Sequence, residues 1–246
     1  MKPAAFGLTD VGRRREKNED AFVVDPALGL YAVADGMGGH AAGEIASTLA
    51  VTTLEESVRG GGWRPDSASE GDAARALEAA ILDANRRICD SIQRHDEHRG
   101  MGTTLVALLA LPGKAVLAHV GDSRAYLVRR GSLSRLTSDH SWVNEQVKLG
   151  LLTDDDAQRH PMRNIVTRAL GSRPDVAMDL VVESLVPGDV FVLCSDGLNT
   201  MLSDAEIRAL VEKHRGQPDA ACRALVSAAN ARGGEDNVTV VVIEVP

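Results

Sequence analysis

Apolar residues gather in short runs bounded by turn pairs, and these runs carry the strand signal. Residues 22–24 and 30–34 flank Asp25-Pro26 and predict a β-hairpin whose second arm ends in Asp35-Gly36. Residues 104–110, 115–120 and 125–129, separated by Pro112-Gly113 and Gly121-Asp122, predict three strands of an antiparallel meander. A strand at 190–194 runs into Ser195-Asp196-Gly197, and residues 238–245 form a last strand. Helical spacing appears where Ala42, Ile45, Ala46 and Leu49 recur within 41–58, closed by Gly60-Gly61-Gly62, and where Leu77, Ile81, Ala84 and Ile88 share a face of 72–94. Shorter helices are predicted at 142–149 and, by capping boxes, after Thr153 (with Asp156) and after Ser203 (with Glu206); a further helix covers 219–232. The glycine-rich stretch through Gly71 reads as a surface loop, and the polar segment 138–173 as an excursion from the sheets.

Strands in blocks and helices in consecutive pairs predict an α+β fold with antiparallel sheets, two of them face to face and covered by helices. With 246 residues, 44% hydrophobic and 25% charged, one domain spanning 1–246 is the expectation. The strongest apolar run, 105–111, is far shorter than the roughly 20 residues of a membrane span, and the N-terminus lacks a basic segment followed by an apolar one. A cytoplasmic protein with no membrane partner is expected. Cys89, Cys194 and Cys222 suggest neither a disulfide framework nor a thiolate zinc site. A net charge of -8 argues against a nucleic-acid partner, which needs a basic footprint. An acidic protein acting on an anionic substrate needs local positive charge, and divalent cations would supply it.

The acidic residues are placed to hold such cations. Asp35 and Asp196 each end an apolar strand and are each followed by glycine, Asp122 also ends a strand, Asp236 precedes the last strand, and Glu19-Asp20 precede the first. If these ends share one edge, the carboxylates converge, and two unit charges about 4 Å apart repel by roughly 4 kcal/mol at an effective dielectric near 20. Oxygen ligands without cysteine favour magnesium or manganese over zinc. Two such ions can bridge a water, lower its pKa and orient it for in-line attack on a phosphate ester. One Asp-Gly after a strand is commonly only a turn; the repetition favours metal binding.

Arg15-Glu-Lys-Asn18-Glu19-Asp20, Val33-Ala-Asp35-Gly36-Met-Gly-Gly39, Gly102-Thr103-Thr104, Gly121-Asp122-Ser123-Arg124, Ser195-Asp196-Gly197 and Asp236-Asn237-Val238-Thr239 occur in this order. In these motifs, spanning residues 12–240, the sequence resembles the metal-dependent protein phosphatases of type 2C, the PPM family, in their compact bacterial form. The resemblance implies a sandwich of two antiparallel sheets flanked by helix pairs, an α-β-β-α arrangement, with the excursion at 138–173 as a flap beside the active site. It implies two Mn2+ or Mg2+ ions, with a third in bacterial members. Asp35 would bridge two ions, Asp196 and Asp236 would bind the first, the Gly36 carbonyl and Glu19 would serve the second, and Asp20 would lie behind them. Asp122 would help Asp196 hold the third. Arg15 matches the phosphate-binding arginine, whose planar fork suits two phosphate oxygens; apart from the motif it reads as part of the solvated run Arg13 to Arg15.

Some eukaryotic members carry a histidine after the Asp-Gly as general acid for the leaving alkoxide, whereas this chain has Met37 there and His40 as the nearest histidine. Water held by the ions is the alternative donor. His119 reads as a core or sheet-face histidine, and His140 and His160 lie in or near the flap without a matched role. Thr103, Thr104, Ser123, Arg124 and Asn237 flank the site, where orienting the carboxylates and simple packing explain them equally.

The expected function is hydrolysis of phosphoserine and phosphothreonine on proteins, opposing a bacterial Ser/Thr kinase, by a monomer. The alternatives are a non-catalytic binding module of the same fold and a phosphatase dedicated to one phosphoserine regulator. The complete acidic set with Arg15 favours the enzyme.

Overall fold

The computed structural model describes residues 3–38 and 42–246; His40, the histidine nearest Met37 in sequence, lies outside them. Eleven strands are described: β1 (Ala4–Asp10), β2 (Asp20–Asp25), β3 (Leu30–Met37), β4 (Gly102–Thr103), β5 (Leu105–Leu111), β6 (Lys114–Val120), β7 (Arg124–Arg129), β8 (Ser132–Arg135), β9 (Asp179–Ser184), β10 (Val190–Cys194) and β11 (Val238–Glu244). They form two antiparallel sheets, one ordered β1-β11-β10-β7-β8, the other β2-β3-β5-β6-β9 with β4 attached to β3. The helices are α1 (Ala42–Gly60), α2 (Glu70–Arg94), α3 (Trp142–Lys148), α4 (Asp154–Arg159), α5 (Asp196–Asn199), α6 (Asp204–Lys213) and α7 (Pro218–Ala231).

Three apolar layers hold these parts together. Tyr31, Val33, Phe191 and Val241 fill the space between the sheets. Leu54, Leu77, Ile81 and Leu109 join α1 and α2 to one outer face, while Ile207, Leu225, Val192 and Val240 join α6 and α7 to the other. The result is the α-β-β-α order expected from the sequence. Each fully buried leucine or isoleucine contributes on the order of 1.5–3 kcal/mol relative to exposure.

The expected meander is corrected at one point. β5 and β6 pair as anticipated, but Gly121 to Ser123 carry the chain into the other sheet, where β7 pairs with β10 and β8. The loop between α1 and α2 is anchored by Trp63, 5% exposed, whose Nε1 donates to the Leu28 carbonyl at 2.8 Å. Both predicted capping boxes form, Thr153 with Asp156 and Ser203 with Glu206, and an unpredicted one, Ser69 with Asp72, starts α2. No helix among the described residues is long and apolar enough to cross a membrane.

Candidate metal centre

Antiparallel pairing delivers the strand ends to one edge of the sandwich. Asp20, first in β2, sits opposite Asp35 in β3. Asp236 lies just before β11, Asp196 just after β10, and Asp122 in the β6–β7 turn. Each of these five aspartates is partly accessible, so they line a groove instead of being sealed in the core.

The glycines after two of them act differently from the sharp turn suggested by the sequence. Gly36 continues β3 and Gly197 lies in the short α5, and neither needs a left-handed backbone. They permit close approach: a Cβ on Gly36 would run into the Gly43 and Glu19 carbonyl oxygens, and one on Gly197 into the Asn237 carbonyl. The strand ends therefore touch the segments that carry Glu19 and Asp236.

A hydrogen-bond mesh fixes the acids. Asp35 N–H donates to Thr104 Oγ1 at 3.1 Å, and the Asp35 carbonyl accepts from Thr104 N–H and Thr103 Oγ1 at 2.9 Å each. Thr104 Oγ1 also lies 2.6 Å from Ser123 Oγ, beside Asp122. Asn237 Oδ1 accepts from Glu19 N–H at 2.8 Å, while its Nδ2 donates to the Val11 and Lys17 carbonyls at 2.9 Å. Ser195 Oγ and Thr239 Oγ1 donate to Asp20 Oδ2 at 2.8 and 2.6 Å. Asn18 Nδ2 continues the mesh to Thr9 Oγ1, which lies 2.6 Å from Thr239 Oγ1. Thr103, Thr104, Ser123 and Asn237 thus orient the site, as one of the two sequence readings had it. Ser195 and Thr239 stood in the motifs without a role, because their partner, Asp20, is reached only through strand pairing, and Thr9, which meets Thr239 and Asn18, was not flagged.

Asp20 Oδ1 is buried with no hydrogen-bond partner in the protein. An ionised carboxylate left this way is costly unless a cation meets it. Burial raises the Asp20 pKa to about 7 against the pull of Thr239 and Ser195, with Asp196 adding to the rise. Burial, then Asp196, raises Asp122 to about 7, and burial, then Asp236, raises Asp196 to about 6. Asp35 is pushed well above the carboxylate range by burial and then by Asp20, Asp196, Asp122 and Asp236. Glu19 is also raised, chiefly by burial. Oxygen donors that resist ionising together fit a cluster of hard divalent cations.

At the rim, Arg15 Nη2 donates to Asp236 Oδ2 at 2.7 Å. Burial opposes the Arg15 charge, but Asp236, with Asp196 and Glu19 behind it, outweighs burial and raises its pKa. Arg15 shares a recess of about 110 Å³ with Asp196, Asp236, Thr200 and two flap residues that the sequence did not flag, Arg163 and Asn164. A larger hollow of about 690 Å³, around Trp63, Arg64 and Arg75 between the α1 end and α2, contains none of the acidic set and is remote from this chemistry.

Two other sequence expectations find their place here. Cys194 and Cys222 are buried with thiols pushed up to about 12 by burial, and all three cysteines are free. His119 is the buried histidine its strand context suggested, and its ring stacks on that of His140, outside the strand, with centroids 4.7 Å apart.

A family model described as Protein phosphatase 2C matches residues 12–229. The chain is 39% identical over 239 residues to protein phosphatase PhpP of Streptococcus pneumoniae, covering 96% of this chain and 95% of that one. The solved structure of the serine/threonine phosphatase PstP/Ppp of Mycobacterium tuberculosis superposes with a TM-score of 0.89 at 36% identity, covering 99% of this chain and 98% of the other. A structure of the PstP catalytic domain in complex with two manganese ions matches with a TM-score of 0.87 at 34% identity, covering 99% of each chain.

Proposed function

This chain belongs to the protein phosphatase 2C family, and from that premise we propose how its acidic groove works. The protein is a metal-dependent serine/threonine phosphoprotein phosphatase that uses manganese or magnesium and acts on phosphorylated proteins. In our reading Asp35, Asp196 and Asp236 would hold a first ion, and Asp35 with Glu19 and the Gly36 carbonyl would hold a second. Asp20 would stand behind them, and Asp122 with Asp196 would hold a third. The partnerless Asp20 Oδ1, amid carboxylates that burial and one another hold above their ordinary range, is the observation that carries this reading.

When bound, the ions supply the positive charge that offsets the phosphate and lowers the pKa of the attacking water. The residues do the rest. The Thr104, Ser123 and Asn237 hydrogen bonds keep the acidic groups in place, so little reorganisation accompanies the reaction. Arg15 presents a guanidinium at the groove mouth, oriented by Asp236, where it would bind the phosphate oxygens. Neighbouring Arg163 adds a second positive group from the flap.

Phosphate release from a phosphothreonine peptide tests the assignment. Turnover with Mn2+ that disappears with chelator and in Asp196→Asn is expected; normal turnover in Asp196→Asn would remove Asp196 from the centre. We further propose that residues 1–246 act as one catalytic unit, cytoplasmic and monomeric, opposing a bacterial Ser/Thr kinase. Faster dephosphorylation of an autophosphorylated kinase than of a small phosphoserine regulator supports that partner class; the reverse order overturns it.

A further inference from the structure

Both backbone hydrogen-bonding groups of Gly121, the residue before Asp122, are taken by His140 at the base of the flap. Gly121 N–H donates to His140 Nδ1 at 3.1 Å, and His140 N–H donates to the Gly121 carbonyl at 2.9 Å. Gly121 has a φ of 105, a conformation with few intrinsic supports, so the turn depends on such contacts. Because Nδ1 accepts, the ring proton of neutral His140 sits on Nε2. That Nε2 faces Oδ2 of Asp179, on edge strand β9, at 3.4 Å. Arg168, on the returning leg of the flap, donates to Oδ1 of the same carboxylate at 3.1 Å.

His119, His140 and Asp179 each bring a potential ligand atom within 4.8 Å of the others. This cluster is not arranged for a metal. The two rings are 15° from parallel, so their in-plane lone pairs do not converge on one point, and His119 Nε2 is engaged with the Ser138 carbonyl at 3.1 Å. Arg168 Nη1 stands 3.3 Å from His140 Nε2 and already supplies the positive charge. Burial, then His119 and Arg168, lower the His140 pKa to about 4, which keeps the ring neutral and its proton pattern fixed. The group clasps a turn.

We propose that His140 is a positioning residue for Asp122: through Gly121 it sets where that carboxylate stands, and through Asp179 and Arg168 it ties that position to the flap. The inference rests on Asp122 serving a third ion. Displacing the flap base would then act first on how well Asp122 meets its cation, reaching Asp35 only through Ser123 and Thr104, while Asp236 is held by the β11 segment.

Calorimetric titration with Mn2+ of wild type, Asp122→Asn, His140→Asn, His140→Gln and Asp179→Ala tests this, with melting temperatures recorded to show that each variant is folded. Asp122→Asn identifies the binding step that belongs to Asp122. Asparagine places an oxygen near the former Nδ1 and keeps the acceptor for Gly121; glutamine reaches toward the Nε2 position and loses it. His140→Gln is expected to weaken the Asp122 step by roughly 10- to 100-fold and leave the tighter steps unchanged. His140→Asn should stay close to wild type, and Asp179→Ala should move in the direction of glutamine by less. The proposal falls if His140→Gln keeps the wild-type step, or if His140→Asn loses it as fully as His140→Gln. If Asp122→Asn removes no step, the third-ion reading fails and this inference with it, while the phosphatase reading, measured by turnover, stands.

Discussion

Arg15 Nη2 rests 2.7 Å from Asp236 Oδ2, so the proposed phosphate-binding group and a proposed metal ligand are hydrogen-bonded to each other. The Arg15 side chain is 52% exposed, and a pair this open holds little stability. Its value is in orientation, because the guanidinium is held at the groove mouth and can exchange the carboxylate for phosphate oxygens. Arg15→Ala should therefore lower kcat/KM on a phosphothreonine peptide by about 10- to 100-fold, the worth of a hydrogen bond to a charged group, with the melting temperature nearly unchanged. Arg15→Lys should recover only part, since an ammonium lacks the planar fork. Steady-state kinetics decide it, and wild-type kcat/KM in Arg15→Ala would exclude the phosphate role.

The carboxylate cluster makes stability depend on pH in the metal-free protein. Asp20 and Asp122 are raised to about 7 and Asp196 to about 6, from an ordinary value of 3.8. Between those limits the folded chain holds protons that the unfolded chain has released. This contribution is fully present below the unfolded value and is lost as pH rises through 6 and 7. Chelator-treated protein should melt lower at about pH 8 than at about pH 5.5, and Mn2+ or Mg2+ should raise the melting temperature more at the higher pH. Equal metal-induced increments at both values would contradict a cluster strained by its own charge.

Asp139 offers a test away from the ions. It accepts from Arg124 Nε at 3.0 Å and Nη2 at 2.6 Å, and Arg124 Nη1 also donates to the Tyr126 hydroxyl at 3.1 Å. Both side chains are largely enclosed, 20% and 11% exposed, so Asp139→Ala leaves an unpaired guanidinium between the β6–β7 turn and the flap. A loss of about 3–5 kcal/mol is expected from urea unfolding. A loss below about 1 kcal/mol would mean that water reaches Arg124 and that the pair belongs with surface bridges.

The chemistry was more legible than the topology, and burial explains why. β5, β6, β10 and β11 are covered on both faces, one by the opposing sheet and one by helices, and so read as largely apolar runs without alternation. Such runs mark a strand but carry no face or partner information, which is why β7 could be placed beside β6 when it pairs with β10. Of the strands absent from the sequence reading, β4 is only two residues long, while β1, β8 and β9 are sheet edges of mixed exposure, and β1 is interrupted by Gly7. Asp35, Asp196 and Asp236 stood out because each adjoins an apolar run. The Ser195 and Thr239 hydroxyls that hold Asp20 did not, since a partner more than 170 positions away leaves no local pattern.

Arg163 is the residue of the Arg15 recess that the sequence concealed most completely. It lies in the polar flap among Arg159, His160 and Asn164, where a charge reads as a solvated surface group. The fold returns it to the recess that holds Arg15, Asp196 and Asp236. A second guanidinium there would add positive charge for a phosphate held by Arg15, and the exposed Met162 and Ile165 beside it in sequence offer apolar surface to residues flanking the phosphorylated side chain. Arg163→Ala should lower kcat/KM on a phosphothreonine peptide by about tenfold, mainly through KM, because the flap contributes binding and not the ion ligands. A small aryl phosphate, which has no flanking residues, should retain the phosphate contact but lose any contribution from Met162 and Ile165. Met162→Ser with Ile165→Ser should then weaken the peptide alone. Equal losses on both substrates in that double variant would show that the flap surface acts on the phosphate site itself and makes no contact with the polypeptide.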